Sequence, residues 1–321
     1  MSDRLLGIKD IEKLDSFEKI NYYSQLRDYC KSTSSEALST NMFSKIISSI
    51  YPILRNYDYS LQGLENIPKD FNALFVCNHS NSHDFFTALE TFNELGSRVS
   101  VFSASDDLSF LVKNIFGFCD AVFVDREDKT SSEQSVINMS RNLVSGIPGV
   151  IFSETTWNIH PYKVMHQIKA GAVEIAAIAG VPIIPTIFEY VEVPEKCYKE
   201  SELYKKCIVR FGEPIYIAQD KSLIQQTNLL QSRLEQERLK VWNQINLYKA
   251  SLRDVNHELY LNHTYLKKFC AFAFQYDSET ESKYLLSIDK NPVENEYHMD
   301  SNGNFVPGIT TKEEGKKYIL K

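Results

Sequence analysis

Residues 73–95 read ALFVCNHSNSHDFFTALETFNEL. The first five are an unbroken apolar run, which at that length reads as a buried strand. Residues 78–83 are polar and residues 84–95 read as a helix. Strand, polar loop and helix in this order form half of a βαβ unit. The alternation continues in both directions along the chain. Strands are predicted at 58–64, 99–102, 121–124, 150–152, 181–188 and 208–211, with a further edge strand at 213–217. Helices are predicted at 108–116, at 132–144 with Ser131 and Ser132 as caps, and at 168–179 with Gly180 as the terminating glycine. The expected fold is α/β: a mixed, mainly parallel central sheet flanked by helices. In such sheets the chemistry sits beyond the carboxyl ends of the strands.

Two helical regions flank this core. Residues 10–31 carry Ile11, Leu14, Phe17, Ile20, Tyr23 and Leu26 at intervals of three, and residues 40–57 gather Met42, Phe43, Ile46, Ile47, Ile50, Ile53 and Leu54 on one face. Residues 220–255 read as another helix, and the chain from 279 onward is weakly patterned. The expected organisation is an N-terminal helical segment at 1–57, an α/β domain at 58–217, and a helical extension with a tail at 218–321.

The net charge is −7, and no block of Lys and Arg interrupts it, so a nucleic-acid partner is not expected. The six cysteines form no CxxC pair and no zinc-like spacing, which places the chain in a reducing compartment. The N-terminal MSDRLLGIKDIEK has no apolar core of a signal peptide. The most apolar stretch, 173–188, contains Glu174, Pro182 and Pro185 and falls short of the about 20 residues that span a bilayer. The expectation is a cytoplasmic protein. Any membrane contact would be peripheral, at the inner face, through residues 40–57.

The chemistry concentrates after the strand at 73–77. His79 and Asp84 stand five residues apart across a turn and a helix start. That spacing lets the carboxylate hold one imidazole nitrogen, leaving the other as a general base. Asp84 could equally be a helix cap. His83 stands four residues from His79, so His79, His83 and Asp84 form an alternative metal-ligand set for a hydrolase. Arg126 has the planar fork that suits a phosphate. Glu154, at a strand end, is placed to meet an acceptor hydroxyl or to orient Arg126.

The His79-x4-Asp84 motif resembles the signature of the glycerolipid acyltransferases, which include lysophosphatidate and glycerol-3-phosphate acyltransferases. The resemblance continues in order. Phe123-Val124-Asp125-Arg126 resembles the family's second block, and Phe152-Ser153-Glu154-Thr155-Thr156 its third, usually Phe-Pro-Glu-Gly-Thr-Arg. Val181-Pro182-Ile183-Ile184-Pro185 resembles its fourth. The likeness covers about residues 58–217. It departs where Ser153, Thr155 and Trp157 replace the family's Pro, Gly and Arg. Arg141, Lys163 and Lys169 are candidates to compensate for the missing Arg.

The resemblance implies transfer of a fatty acyl group from acyl-CoA or acyl carrier protein to a hydroxyl, of lysophosphatidate or a related lipid precursor. It implies His79 and Asp84 as the catalytic pair, with Arg126, Glu154, Thr155 and Thr156 binding substrate. No metal or cofactor is implied beyond the acyl thioester co-substrate. The departures in the third block keep a non-catalytic lipid-binding member as a further alternative.

Overall fold

The computed structural model describes residues 5–34, 46, 49–51, 58–79, 84–104, 121–125, 128–154, 164–190, 206–244, 297–299 and 305–307. Two N-terminal helices, α1 (Ile8–Ile11) and α2 (Ser16–Thr33), precede the sheet. Then follow β1 (Asp58–Gln62), β2 (Leu74–Cys77), α3 (Asp84–Glu94), β3 (Ser100–Ala104) and β4 (Val122–Val124). The chain continues through α4 (Lys129–Val144), β5 (Gly149–Phe152), α5 (Gly171–Ala179), β6 (Ile183–Tyr190), β7 (Lys206–Phe211) and α6 (Leu223–Gln244). A two-stranded antiparallel ladder, β8 (Tyr297–Met299) with β9 (Phe305–Pro307), lies in the tail.

The seven-stranded sheet has the order β1-β7-β6-β2-β5-β3-β4, and every pairing is parallel except β6 with β7. This is the mixed, mainly parallel sheet that the strand–helix alternation predicts. β2 pairs with β5 on one side and β6 on the other, so it is central. The chain crosses from β5 to β6 past β2. That reversal of direction falls at the carboxyl ends of β2 and β5, the place where open α/β sheets bind ligands.

Alternation along the strands divides the core in two. Leu74, Val76, Ile151, Ile183 and Ile187 face α2, α4, α5 and α6, while Phe75, Cys77, Val150, Ile184 and Phe188 face α3. On the α3 side, Phe75 meets Phe92 edge-to-face with centroids 4.6 Å apart. Each such fully buried side chain contributes about 1.5–3 kcal/mol of transfer free energy. α5 is a run of Ala, Ile and Val, buried from Ala172 to Ala179, consistent with a helix covered on all sides.

Several elements differ from their predicted bounds for local reasons. The helical pattern at 10–31 is two helices, because Asp15 caps α2: its side chain accepts from the Glu18 N–H at 2.8 Å and Glu18 accepts from the Asp15 N–H at 2.9 Å. Phe17 consequently lies 72% exposed rather than on the core face. α4 begins at Lys129 with Asp128 as its cap, not Ser131 or Ser132. Those serines bond the Asp125 backbone instead. The segment 213–217 makes a single bridge, Ile215 to Ile183, rather than a strand. Gly180 terminates α5 with φ 72°, as predicted, and the Arg27 guanidinium donates to the Ile178 and Ala177 carbonyls at that helix end.

The predicted helix at 108–116 and most of 40–57 and of the tail lie outside the described residues. Of 40–57, Ile46 and Ile50 are exposed, whereas Tyr51 is buried and stacks on Phe86 with ring centroids 5.2 Å apart. Among the described residues no helix is long and apolar enough to cross a membrane.

Candidate active site

The chain leaves β2 at Cys77, and the next residue fixes its exit. Asn78 is fully buried. Its amide donates to the Phe188 carbonyl at 2.9 Å and accepts the Phe188 N–H at 2.8 Å, so its side chain continues the β2–β6 pairing where the backbone turns away. On the other side, Ser153 donates both its N–H and its hydroxyl to the Cys77 carbonyl, at 2.9 and 3.0 Å. These bonds pin the backbone immediately before His79.

His79 Nδ1 lies 2.7 Å from Asp84 Oδ2. Asp84 is the first residue of α3 and its side chain is fully buried, whereas the His79 side chain is 25% exposed. A carboxylate can only accept, so the imidazole donates from Nδ1 and carries its lone pair on Nε2. The ring stacks on Phe152, with centroids 4.9 Å apart and an interplanar angle of 28°. The predicted spacing therefore brings together an oriented imidazole with one apolar wall, at the carboxyl edge of the central strand. Such a group can take a proton from a hydroxyl.

Glu154, two residues beyond β5, is 1% exposed. One carboxyl oxygen accepts the His79 backbone N–H at 2.9 Å and the other accepts the His166 N–H at 2.6 Å. The sequence places Glu154 near an acceptor hydroxyl or Arg126. In the structure its two oxygens tie the His79 backbone to the irregular segment 164–168. Burial pushes its carboxyl above the usual range, against the opposing charge of Arg238 and the two N–H donors.

Arg238, on α6, is buried beside this group. Its Nε donates to Glu189 at 2.9 Å, and its Nη1 to the Val164 carbonyl at 2.5 Å. The sequence singled out neither Arg238 nor Asn78. The only available signal was an Arg among the apolar positions of the 220–255 pattern, and the Asn that precedes His79.

Arg126, Thr155, Thr156, Trp157, Lys163 and His83 lie outside the described residues, so the phosphate-binding and metal-ligand expectations that rest on them are not placed. Among the described residues no three His, Cys, Asp or Glu side chains are grouped to hold a metal ion. Of the candidates to replace the missing Arg, Arg141 is engaged elsewhere. It bonds Thr33, Tyr29 and Asn138 at the end of α4 that leads into β5, the amino edge of the sheet. Lys169 is exposed.

Comparison with known proteins adds three findings. Residues 58–189 match the family model described as Acyltransferase. No curated protein matches the chain. Among solved structures, the crystal structure of the 1-acyl-sn-glycerophosphate (LPA) acyltransferase PlsC from Thermotoga maritima aligns with a TM-score of 0.48 and 17% identity, over 70% of this chain and 92% of that one.

Proposed function

We propose, from the premise that residues 58–189 are an acyltransferase-family domain, that this protein moves a fatty acyl group from acyl-CoA or acyl carrier protein to the hydroxyl of lysophosphatidate or a related lipid precursor. The observation that carries the reading is the 2.7 Å bond between His79 Nδ1 and the buried Asp84 carboxyl. The four blocks that resemble glycerolipid acyltransferases support the acceptor class.

In this mechanism His79 Nε2 removes the acceptor's hydroxyl proton as its oxygen attacks the thioester carbonyl. The tetrahedral intermediate collapses and the C–S bond breaks. The thiolate leaves and takes the proton back from the imidazolium. Asp84 holds the tautomer and offsets the positive charge that His79 carries between the two proton transfers. Glu154 keeps the His79 backbone in register. Arg126, Thr155 and Thr156 bind the acceptor substrate, with Arg126 as the fork for its phosphate. The acyl thioester is a co-substrate, and the protein supplies the base itself.

The test is product identification. Purified protein is incubated with long-chain acyl-CoA or acyl carrier protein, with and without lysophosphatidate, and lipids are resolved by mass spectrometry. Phosphatidate formed only with both substrates supports the reading. Acyl transfer to another hydroxyl would correct the acceptor alone. No acylated product from any hydroxyl acceptor would favour the non-catalytic lipid-binding alternative.

A further inference from the structure

We propose that Arg238 is a positioning residue for the His79/Asp84 pair, acting from α6 through residues 164–168 and Glu154; the proposal rests on the acyl-transfer reading above. α6 spans Leu223–Gln244 and lies wholly beyond the family-matched segment 58–189. The matched segment therefore does not contain all the groups that hold its own base.

Residues 164–168 belong to neither helix nor strand, so their backbone groups need partners from elsewhere. α6 supplies them from two positions seven residues apart, on one face of the helix. Arg238 donates to the Val164 carbonyl at 2.5 Å. Gln231 accepts the Ile168 N–H at 2.9 Å and donates to the His166 carbonyl at 3.3 Å. Between these pins the His166 N–H reaches Glu154 at 2.6 Å, and Glu154 in turn holds the His79 N–H at 2.9 Å. Hydrogen bonds from α6, joined through the backbone of residues 164–168, thus reach by way of Glu154 to the backbone of the base.

Charge runs along the same path. Arg238 is 3% exposed, and its ion pair with Glu189 is equally buried. Its guanidinium also packs on the Trp242 ring, 5.2 Å from the centroid. Its positive charge opposes the protonation that burial imposes on Glu154, and it interacts with Asp84 as well. The charged groups that act on it are Glu189 from β6, Glu154 after β5 and Asp84 on α3, and the titratable His79 lies beside Glu154. On α6 itself, Glu237 is paired with Arg210 and Lys240. A protonated Glu154 would put a hydrogen on an oxygen that now accepts an N–H, and so release one end of the clamp. Lysine could not serve in place of Arg238, because its single ammonium does not span two partners in the plane of a fork.

The experiment uses the full chain and three variants: Arg238→Lys, Gln231→Ala, and Arg238→Met combined with Glu189→Met. The double variant leaves neither partner of the buried pair unmatched. Two readouts are taken: acceptor-dependent thiol release against pH, and the downfield Nδ1–H proton resonance of His79, which needs no substrate. The double variant is expected to lose about 10–100-fold in kcat with KM for the acyl donor unchanged. The acid limb of its pH profile moves to higher pH, and the His79 resonance shifts. Arg238→Lys loses kcat without rescue, because the fork is gone, but its retained positive charge leaves the acid limb in place. Gln231→Ala lowers kcat without moving the acid limb, because no charge is lost.

A double variant that melts cooperatively yet keeps the wild-type kcat, pH profile and resonance overturns the proposal. If the double variant does not fold, Gln231→Ala decides: wild-type kcat with an unmoved resonance overturns it. If wild type transfers no acyl group, the acyl-transfer reading fails on its own. The His79 resonance then still decides the positioning role, which a shift supports and an unchanged signal contradicts.

Discussion

The Asp84 side chain has no solvent contact, and its Oδ2 lies 2.7 Å from His79 Nδ1. Replacing it with Asn would present an amide N–H to that nitrogen and drive the proton to Nε2, where the base needs its lone pair. Asp84→Asn should therefore lower kcat by about 10²–10⁴-fold with little change in KM, measured by steady-state thiol release. Glu154→Gln puts one N–H donor against another at His79 or His166. It should cost about 1–3 kcal/mol in urea unfolding and about tenfold or more in kcat. The His79/Asp84 pair was legible because both members sit within one local turn. The clamp was not, because Glu154 is 75 residues from His79 and its second donor lies in an irregular segment. Arg238 is more distant still, and nothing in a helical pattern distinguishes a buried paired Arg from a solvated one.

Elements obey local rules where their signals do not overlap. α5 ends at Gly180 because that residue takes φ 72°, and a Cβ there would come within 2.7 Å of the Arg27 guanidinium. Gly180→Ala should destabilise by at least about 1–2 kcal/mol, seen as a lower denaturant midpoint at constant slope. Asp15→Ala removes the acceptor half of the α2 cap and should cost about 0.5–2 kcal/mol by the same measurement. The sequence carried the Asp15-x-x-Glu18 signature of that cap, but Ile11, Leu14 and Phe17 overlie it with a plausible helical period. The three-residue interval drifts around a helix of 3.6 residues per turn. That drift is why Phe17 and Ile20 face solvent while Tyr23 and Cys30 reach the core.

At the scale of the whole molecule, alternation of strands and helices announced the fold class but not the strand order. The central place of β2, and with it the position of His79 at the carboxyl edge of the sheet, depends on β5 and β6 landing on its two sides. That choice is made by packing between elements far apart in sequence. The antiparallel β6–β7 pair follows connections that periodicity does not encode. One consequence of the packing concerns acid–base stability. Glu174, in the buried α5, has a carboxyl oxygen with no hydrogen-bond partner among the described residues, and burial, with Glu133 adding to it, pushes its pKa from 4.5 up to about 7. The folded state then holds a proton that the unfolded chain releases above pH 4.5, so this group's contribution to stability falls as pH rises from 4.5 to about 7. At about 1.36 kcal/mol per pH unit the fall amounts to about 3 kcal/mol. Unfolding free energies at pH 5 and pH 7.5 should show this decline in wild type and a much smaller one in Glu174→Gln.

The central claim is that His79, held by Asp84, is the base of an acyl transfer. Its most direct test is the rate of acceptor-dependent thiol release from acyl-CoA by wild type and by His79→Ala, with both proteins confirmed folded. The account predicts release that depends on lysophosphatidate or a related hydroxyl acceptor in wild type and falls by at least about 10²-fold in the variant. A folded His79→Ala protein that transfers acyl groups at the wild-type rate would contradict it.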